Sequence, residues 1–355
     1  INLALLEAMT MVQPERPTYV LFLTDGLPTE GETIPASILA NVGAAAPENL
    51  RLFAFGVGDD VDTFLLDSLT EAHGGRSAYV RPGEPLDEIV SGFYAGISTP
   101  VLANVTLDVG GATIEDVYPS PMPDLFAGGQ LVVAGRYRAG GPATVTLAGE
   151  VNGQPQTFTY QNLALSTAPT ASAEFVPRLW ATRKIGYLLT QVRLHGEQPE
   201  LIDAIVDLSV KYGIVTPYTS YLITEDDILT QDGRDAASQN TLREMEAQST
   251  APASGAKAVD EAAASGNLAD ADVAQAPSAE YGDQVRVVGS RAFVLQGDVW
   301  TETTYDPSTM TPTQVTFGSE AYFALIAEHP DLAEAFALGS RVIAVSDGQA
   351  YEVVE

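Results

Sequence analysis

The chain reads as α/β at its start, in the form of a partial doubly wound domain. An antiparallel β segment with a helical hairpin follows, and a small α+β unit ends the chain. Three observations predict this. The apolar runs TYVLFL at 18–23 and RLFAFGV at 51–57 are unbroken rather than alternating, as in parallel strands covered on both faces. From Pro100 onward NVTLDV, QLVVAGRY, ATVTLAGEV and QTFTYQNL alternate or are rich in β-branched residues, the mark of antiparallel strands. Past Ser172 the apolar residues recur at helical spacing, so the period changes again.

Taken in order, the two continuous runs belong in the middle of a parallel sheet. Between them a helix starts with Thr33 as N-cap and Pro35 near its first position, with Ile38, Leu39 and Val42 on one side. Asp60 or Asp62 caps the next helix, whose inward face is Val61, Leu65, Leu69 and Ala72 and whose end is Gly74 and Gly75. A short strand spans 77–80, and Leu86, Ile89, Val90, Phe93 and Ile97 form an amphipathic stripe. Residues 1–99 are therefore one α/β domain with right-handed crossovers. In the β segment Asn152 and Gly153 mark a hairpin turn. The helical stripes are Ala181, Ile185, Leu188, Leu189 and Val192, then Leu201, Ala204, Ile205, Leu208 and Tyr212, separated by Gly196 and Pro199. TPYTSYL at 216–222 suits a strand that closes a sheet against residues 100–170, so 100–227 form a second domain. Residues 228–282 are rich in Ala, Ser and Asp and poor in large apolar residues, which fits a linker with weak helices. The last unit, 283–355, has strand candidates VRVVG, AFVLQG, VWTETTY and RVIAVS and a helix around Tyr322–Ala337.

Composition bounds the function. Among 355 residues, 47 Asp and Glu face 17 Lys and Arg, a net charge of -30. Such a chain repels nucleic acid phosphates and anionic lipid, so neither a nucleic acid partner nor direct membrane insertion is expected. There is no cysteine, which excludes disulfides and thiolate chemistry. No apolar run approaches the roughly 20 residues that span a bilayer. No signal peptide precedes the first helix and no initiator Met stands at Ile1, so the chain is expected to be a cut piece.

One carboxylate stands out. Asp25 lies directly behind the apolar run in VLFLTDGLPTEGE, where the loops of an open α/β sheet form a ligand crevice. The alternative is that it caps the turn at Gly26 by accepting backbone N–H groups. Asp59, Asp60 and Asp62 read as helix N-terminal acids rather than a second cation site. GVGDD at 56–60 lacks the third glycine of a dinucleotide loop. His73, His195 and His329 show no metal-ligand spacing, no GxSxG elbow occurs, and Trp180 and Trp300 read as core anchors.

The chain resembles the von Willebrand factor type A domain in the architecture of inter-alpha-trypsin inhibitor heavy chains and their bacterial relatives. The resemblance rests on LFLTDGLPTEGE (21–32), FAFGVGDDVD (53–62), FYAGISTPVLANV (93–105) and VYPSPMPDLFAGGQLVVAGRY (117–137). FVPRLWATRKIGYLLTQVRLHGE (175–197) and KYGIVTPYTSYLITEDD (211–227) carry it furthest. It implies a metal-ion-dependent adhesion site in which Asp25 is the third ligand element and holds Mg²⁺ or another divalent cation. The DxSxS element and the threonine of that site are absent here, so the resemblance implies an N-terminally truncated fragment. Cation binding is then expected in the intact protein and none in this piece. The implied function is non-enzymatic, a cation-dependent adhesion or protein-binding module with a protein ligand, secreted or at the cell surface. The alternative is an intracellular partner of a AAA+ ATPase in a chaperone-like role.

Overall fold

The structure, a computed structural model, describes residues 1–13, 17–167, 173–216, 228–248, 253–273 and 283–355, with backbone alone at 244–248. Two compact units are present. One comprises Ile1–Thr170, Arg193–His195 and Ala251–Asp270, and the other Ala171–Val192, Gly196–Thr250 and Ala271–Glu355.

In the first unit β1 (Thr18–Thr24), β2 (Leu50–Val57) and β3 (Ser77–Val80) form a parallel sheet in the order β1-β2-β3. This is the α/β arrangement the apolar runs predict. One face of β2, Leu50, Leu52 and Ala54, is buried against three helices: Leu5 and Met9 of α1 (Asn2–Thr10), Ile38 and Val42 of α2 (Pro35–Ala45), and Leu65, Leu66 and Leu69 of α3 (Thr63–Ala72). On the other face Phe53 and Phe55 meet Phe93 of α4 (Leu86–Ile97) edge-on, with ring centroids 5.5 and 4.6 Å apart. Among the described residues β2 is the central strand and β1 pairs with β2 alone. Placing β1 in the middle of the sheet is thus corrected. Its faces are covered by Phe53 and Phe126 against Tyr19 and by the core against Val20 and Phe22, but one hydrogen-bonding edge has no strand partner among the described residues.

The local signals resolve in detail. Asp62 caps α3, accepting from the Leu65 N–H at 2.9 Å. Ile34, not Thr33, occupies the N-cap of α2, with Pro35 fixing the first turn. Gly75 follows α3 so closely against β2 that a Cβ there would lie 1.8 Å from the Leu52 carbonyl oxygen. No other residue fits without moving the strand. Along α4 only Ile97 is fully buried, and Leu86 stays 41% exposed.

The antiparallel part has β4 (Pro100–Gly110), β6 (Leu125–Phe126), β8 (Gly141–Val151) and β9 (Gln154–Leu165) in the order β6-β4-β8-β9, beside a pair made of β5 (Ile114–Tyr118) and β7 (Ala134–Tyr137). Asn152 and Gly153 both take positive φ, 51° and 73°, joining β8 to β9 by the two-residue turn that matches strand twist. QLVVAGRY is a strand only from Ala134.

In the second unit, α5 (Val176–His195) buries Ala181, Ile185, Leu188, Leu189 and Val192 as its stripe predicts, its last three residues counting with the first unit. Buried residues surround it: Arg178, Thr182 and Arg183 are enclosed as well. Thr182 donates to the Arg178 carbonyl at 2.9 Å, and Arg183 donates to the Ala271 carbonyl at 2.6 Å. α6 (Pro199–Tyr212) buries Ile202, Ile205, Val206, Ser209 and Val210, a face turned by one residue from the predicted one. It packs against α7 (Gln231–Gln248) and against a strand of the last sheet. Residues 228–282, expected as a linker with weak helices, thus hold α7 and also α8 (Ala256–Ala269), whose Val259 is fully enclosed in the core of the first unit. Of TPYTSYL, all but Thr216 lies outside the described residues.

The C-terminal sheet runs β10-β11-β12-β14-β15-β13, from β10 (Val285–Val288), β11 (Arg291–Gln296), β12 (Val299–Glu302), β13 (Thr313–Thr316), β14 (Val342–Ser346) and β15 (Gln349–Val354). The single helix expected around 322–337 is two, α9 (Glu320–Glu328) and α10 (Leu332–Phe336), because Pro330 lacks the N–H that would continue the first. Trp300, 8% exposed, anchors this core with Phe293, Leu332, Phe336 and Val342.

Candidate functional site

The parallel register aligns the carboxyl ends of the three strands of the first unit: Thr24 pairs with Gly56, and Val57 with Val80. The loops that leave these ends carry Asp25, Asp59, Asp60 and Glu84. Asp25 is the first residue past β1 and is exposed. Its carboxylate takes no hydrogen bond from the described residues. The turn is instead tied by Thr24, whose hydroxyl donates to the Gly26 carbonyl at 3.2 Å and faces the Gly26 N–H at 3.5 Å. The capping alternative for Asp25 is therefore replaced by a Thr24 cap, and Asp25 points no bond into the protein.

Its neighbours are occupied otherwise. Gly58 adopts φ 82° and donates to the Val80 carbonyl at 2.8 Å, while the Asp59 carbonyl accepts from Gly255 N–H at 2.7 Å. Burial pushes the Asp62 carboxyl above the usual range, against the lowering effect of the Leu65 and Phe64 N–H groups it caps. Among the described residues no three His, Asp or Glu side chains are gathered as a metal site requires. One exposed carboxylate is a poor match for Mg²⁺, which wants near-octahedral oxygen ligands and sheds water reluctantly. The donors among the described residues do not by themselves fit the cation.

The histidines lie apart. Burial lowers the pKa of His73, and His195 contacts Glu71 at 3.2 Å. In the second unit His329 Nδ1 lies 3.1 Å from Ser346 Oγ, which donates to Asp331 at 2.9 Å, and Tyr351 OH is 3.3 Å from Nε2. The Ser346 proton is thus committed to Asp331, so the hydroxyl accepts from the imidazole rather than being activated by it.

Sequence reasoning passed over a buried polar centre beside the sheet. Asp124, with its side chain 4% exposed, accepts from Tyr19 OH at 2.9 Å, Arg51 Nε at 3.1 Å and Asn104 N–H at 2.9 Å. Asp67 likewise accepts from Tyr79 OH at 2.7 Å and pairs with Arg193. Both join residues far apart in the chain, which no local pattern announces.

Curated proteins are similar to part of this chain. Inter-alpha-trypsin inhibitor heavy chain H4 of Homo sapiens is 34% identical over 218 residues, covering 59% of this chain and 23% of the relative. Heavy chain H6 of Homo sapiens is 32% identical over 225 residues, and heavy chain H2 of Mus musculus 27% over 229, covering 17% and 24% of those proteins. The chain is similar to inter-alpha-trypsin inhibitor heavy chains. The resemblance read from LFLTDGLPTEGE and the later blocks is borne out. The matched part spans about a quarter or less of each heavy chain. No family model matches. Among solved structures, a von Willebrand factor type A protein from Catenulispora acidiphila aligns at TM-score 0.34 and 17% identity, over 59% of this chain and 58% of that one. No helix among the described residues is long and apolar enough to cross a membrane.

Proposed function

We propose that this chain is part of a non-enzymatic protein-binding module of the adhesion type, acting outside the cell or at its surface. In this reading Asp25 contributes one carboxylate to a divalent-cation site completed by oxygen ligands from outside the chain. The observation that carries the reading is Asp25 itself. It stands exposed at the end of a parallel strand, with no hydrogen bond from the described residues, in a chain similar to heavy chains. A carboxylate kept for folding would be expected to hold its own turn, as Thr24 does here.

The test is capture of proteins from an extracellular-matrix extract by the longest natural form of the protein. Capture is expected to need a divalent cation and to disappear both in chelator and in Asp25→Ala. Equal capture without Asp25, or in chelator, would overturn the reading. Calorimetric titration of Mg²⁺ into the present chain alone is expected to show only diffuse binding to its acidic surface, unchanged by Asp25→Ala.

A further inference from the structure

β9 lies at the edge of its sheet, and among the described residues no strand pairs with its outer side. All of its twelve residues but Leu165 are exposed. Proteins normally blunt such an edge with Lys, with Pro or with a bulge that twists it away. QPQTFTYQNLAL has no charged residue; Pro155 stands at its turn end and the ladder to β8 bulges at Asn162, which takes φ 59°, so the regular edge between them runs from Gln156 to Tyr160.

The register shows what such an edge would accept. Leu107, Leu147 and Phe158 form one row across β4, β8 and β9, and Val109, Val145 and Tyr160 the next on the same face. The opposite face carries Thr106, Ala148 and Thr157, then Asp108, Thr146 and Thr159. One face is apolar and the other is dominated by hydroxyls, an alternation that antiparallel sheets use when one face is to be covered. The apolar rows end open, with Phe158 45% and Tyr160 53% exposed. A strand added beside β9 would extend both faces, apolar residues beside Phe158 and Tyr160 and small polar residues beside Thr157 and Thr159.

Charge selects the source of that strand. β4, β8 and β9 hold Asp108 and Glu150 and no Lys or Arg, and neither acid has a cationic partner among the described residues. A second copy brings another net charge of -30 to the same surface, and like charge opposes that approach. We propose that the edge of β9, unpaired among the described residues, receives by β-augmentation an extended segment of a partner protein in which apolar and small hydroxyl residues alternate between basic ends. The inference takes from the protein-binding reading only that the ligand is a protein, and it uses a surface other than Asp25.

The probe is a labelled peptide of alternating valine and threonine with lysine at both ends. Its outward amides are N-methylated, so that only one edge pairs. Added to this chain at physiological salt, it should bind saturably, with new hydrogen-exchange protection on β9. Phe158→Thr with Tyr160→Thr, which keeps β-forming residues at exposed positions, should weaken binding about tenfold or more. A glutamate-ended peptide should bind less well still. Absence of saturable binding, or binding undiminished by the double substitution, overturns the proposal. So does β9 protection without peptide, whether with dimers in sedimentation, which makes a second copy the occupant, or in a monomer of the longest natural form, which makes it a segment of the same protein. Asp25→Ala should leave peptide binding intact, so failure here and failure of the Asp25 reading are separate results.

Discussion

Asp124 accepts four hydrogen bonds in a nearly dry pocket, one from a phenol, two from a guanidinium and one from a backbone amide. The amide belongs to Asn104, which adopts φ 51° where the register of β4 against β8 shifts. One carboxylate thus holds the edge of the parallel sheet to the antiparallel segment. Asp124→Ala leaves the Arg51 charge without its carboxylate and should cost about 3–5 kcal/mol in urea unfolding; Asp124→Asn, which keeps the shape, should cost less. Burial, and after it the Asp124 charge, pushes the Tyr19 hydroxyl well above its ordinary pKa. At Asp62 the sign runs the other way from most carboxylates. Burial raises its folded pKa above the unfolded value near 3.9. Its contribution to stability is therefore full below that value and is lost as pH rises through the folded pKa. Asp62→Asn keeps the cap and should remove this loss, measured as a smaller fall in urea midpoint across that window. Asp62 was legible in the sequence because a cap bonds a residue three places on. Asp124 was not, since Arg51 and Tyr19 lie 73 and 105 residues away.

Helices tell a parallel story one level up. The stripe predicted along α5 is a buried one, and Leu188, 6% exposed beside Ile185 and Leu189, should lose about 2–5 kcal/mol on Leu188→Ala through the cavity left behind. In α6 the period was visible but the rotation was not, because PELIDAIVDLSVKY holds two overlapping apolar stripes. Tertiary packing chose between them: α7 and β11 pack against this helix, and the stripe enclosed is Ile202, Ile205, Val206 and Val210. Ile202→Ala should accordingly destabilise more than Leu201→Ala, compared by thermal melts of the two variants. Strands have the same ambiguity. An apolar run such as TYVLFL reports that both faces of a strand are covered, and it is silent on how many neighbours bond its backbone. Hence the run predicts a central strand, though β1 has one partner among the described residues.

At the scale of the molecule, a net charge of -30 strains the compact state. The melting temperature should climb with sodium chloride and respond little to an uncharged osmotic control at equal osmolality. A Debye length falling from about 30 Å at 0.01 M to about 8 Å at 0.15 M would screen the repulsion. The C-terminal hydroxyl and imidazole contacts, the Asp124 centre and the turn of α6 all depend on long-range neighbours, whereas the α/β start, the Asp62 cap and the Asn152-Gly153 hairpin follow from residues near in sequence. Val259 belongs to the first kind. A helix drawn from 256–269 completes a core otherwise built from residues 1–69, with Thr63 N–H donating to the Ala253 carbonyl at 2.8 Å. On the ribosome this order matters. Strands β1 to β3 emerge long before α8, and at about 5–20 residues per second the wait is roughly 10–40 s. During that interval the surface that Val259 will seal is exposed to chaperones and to other nascent chains, so the pace of synthesis across the intervening stretch becomes part of how this protein reaches its fold.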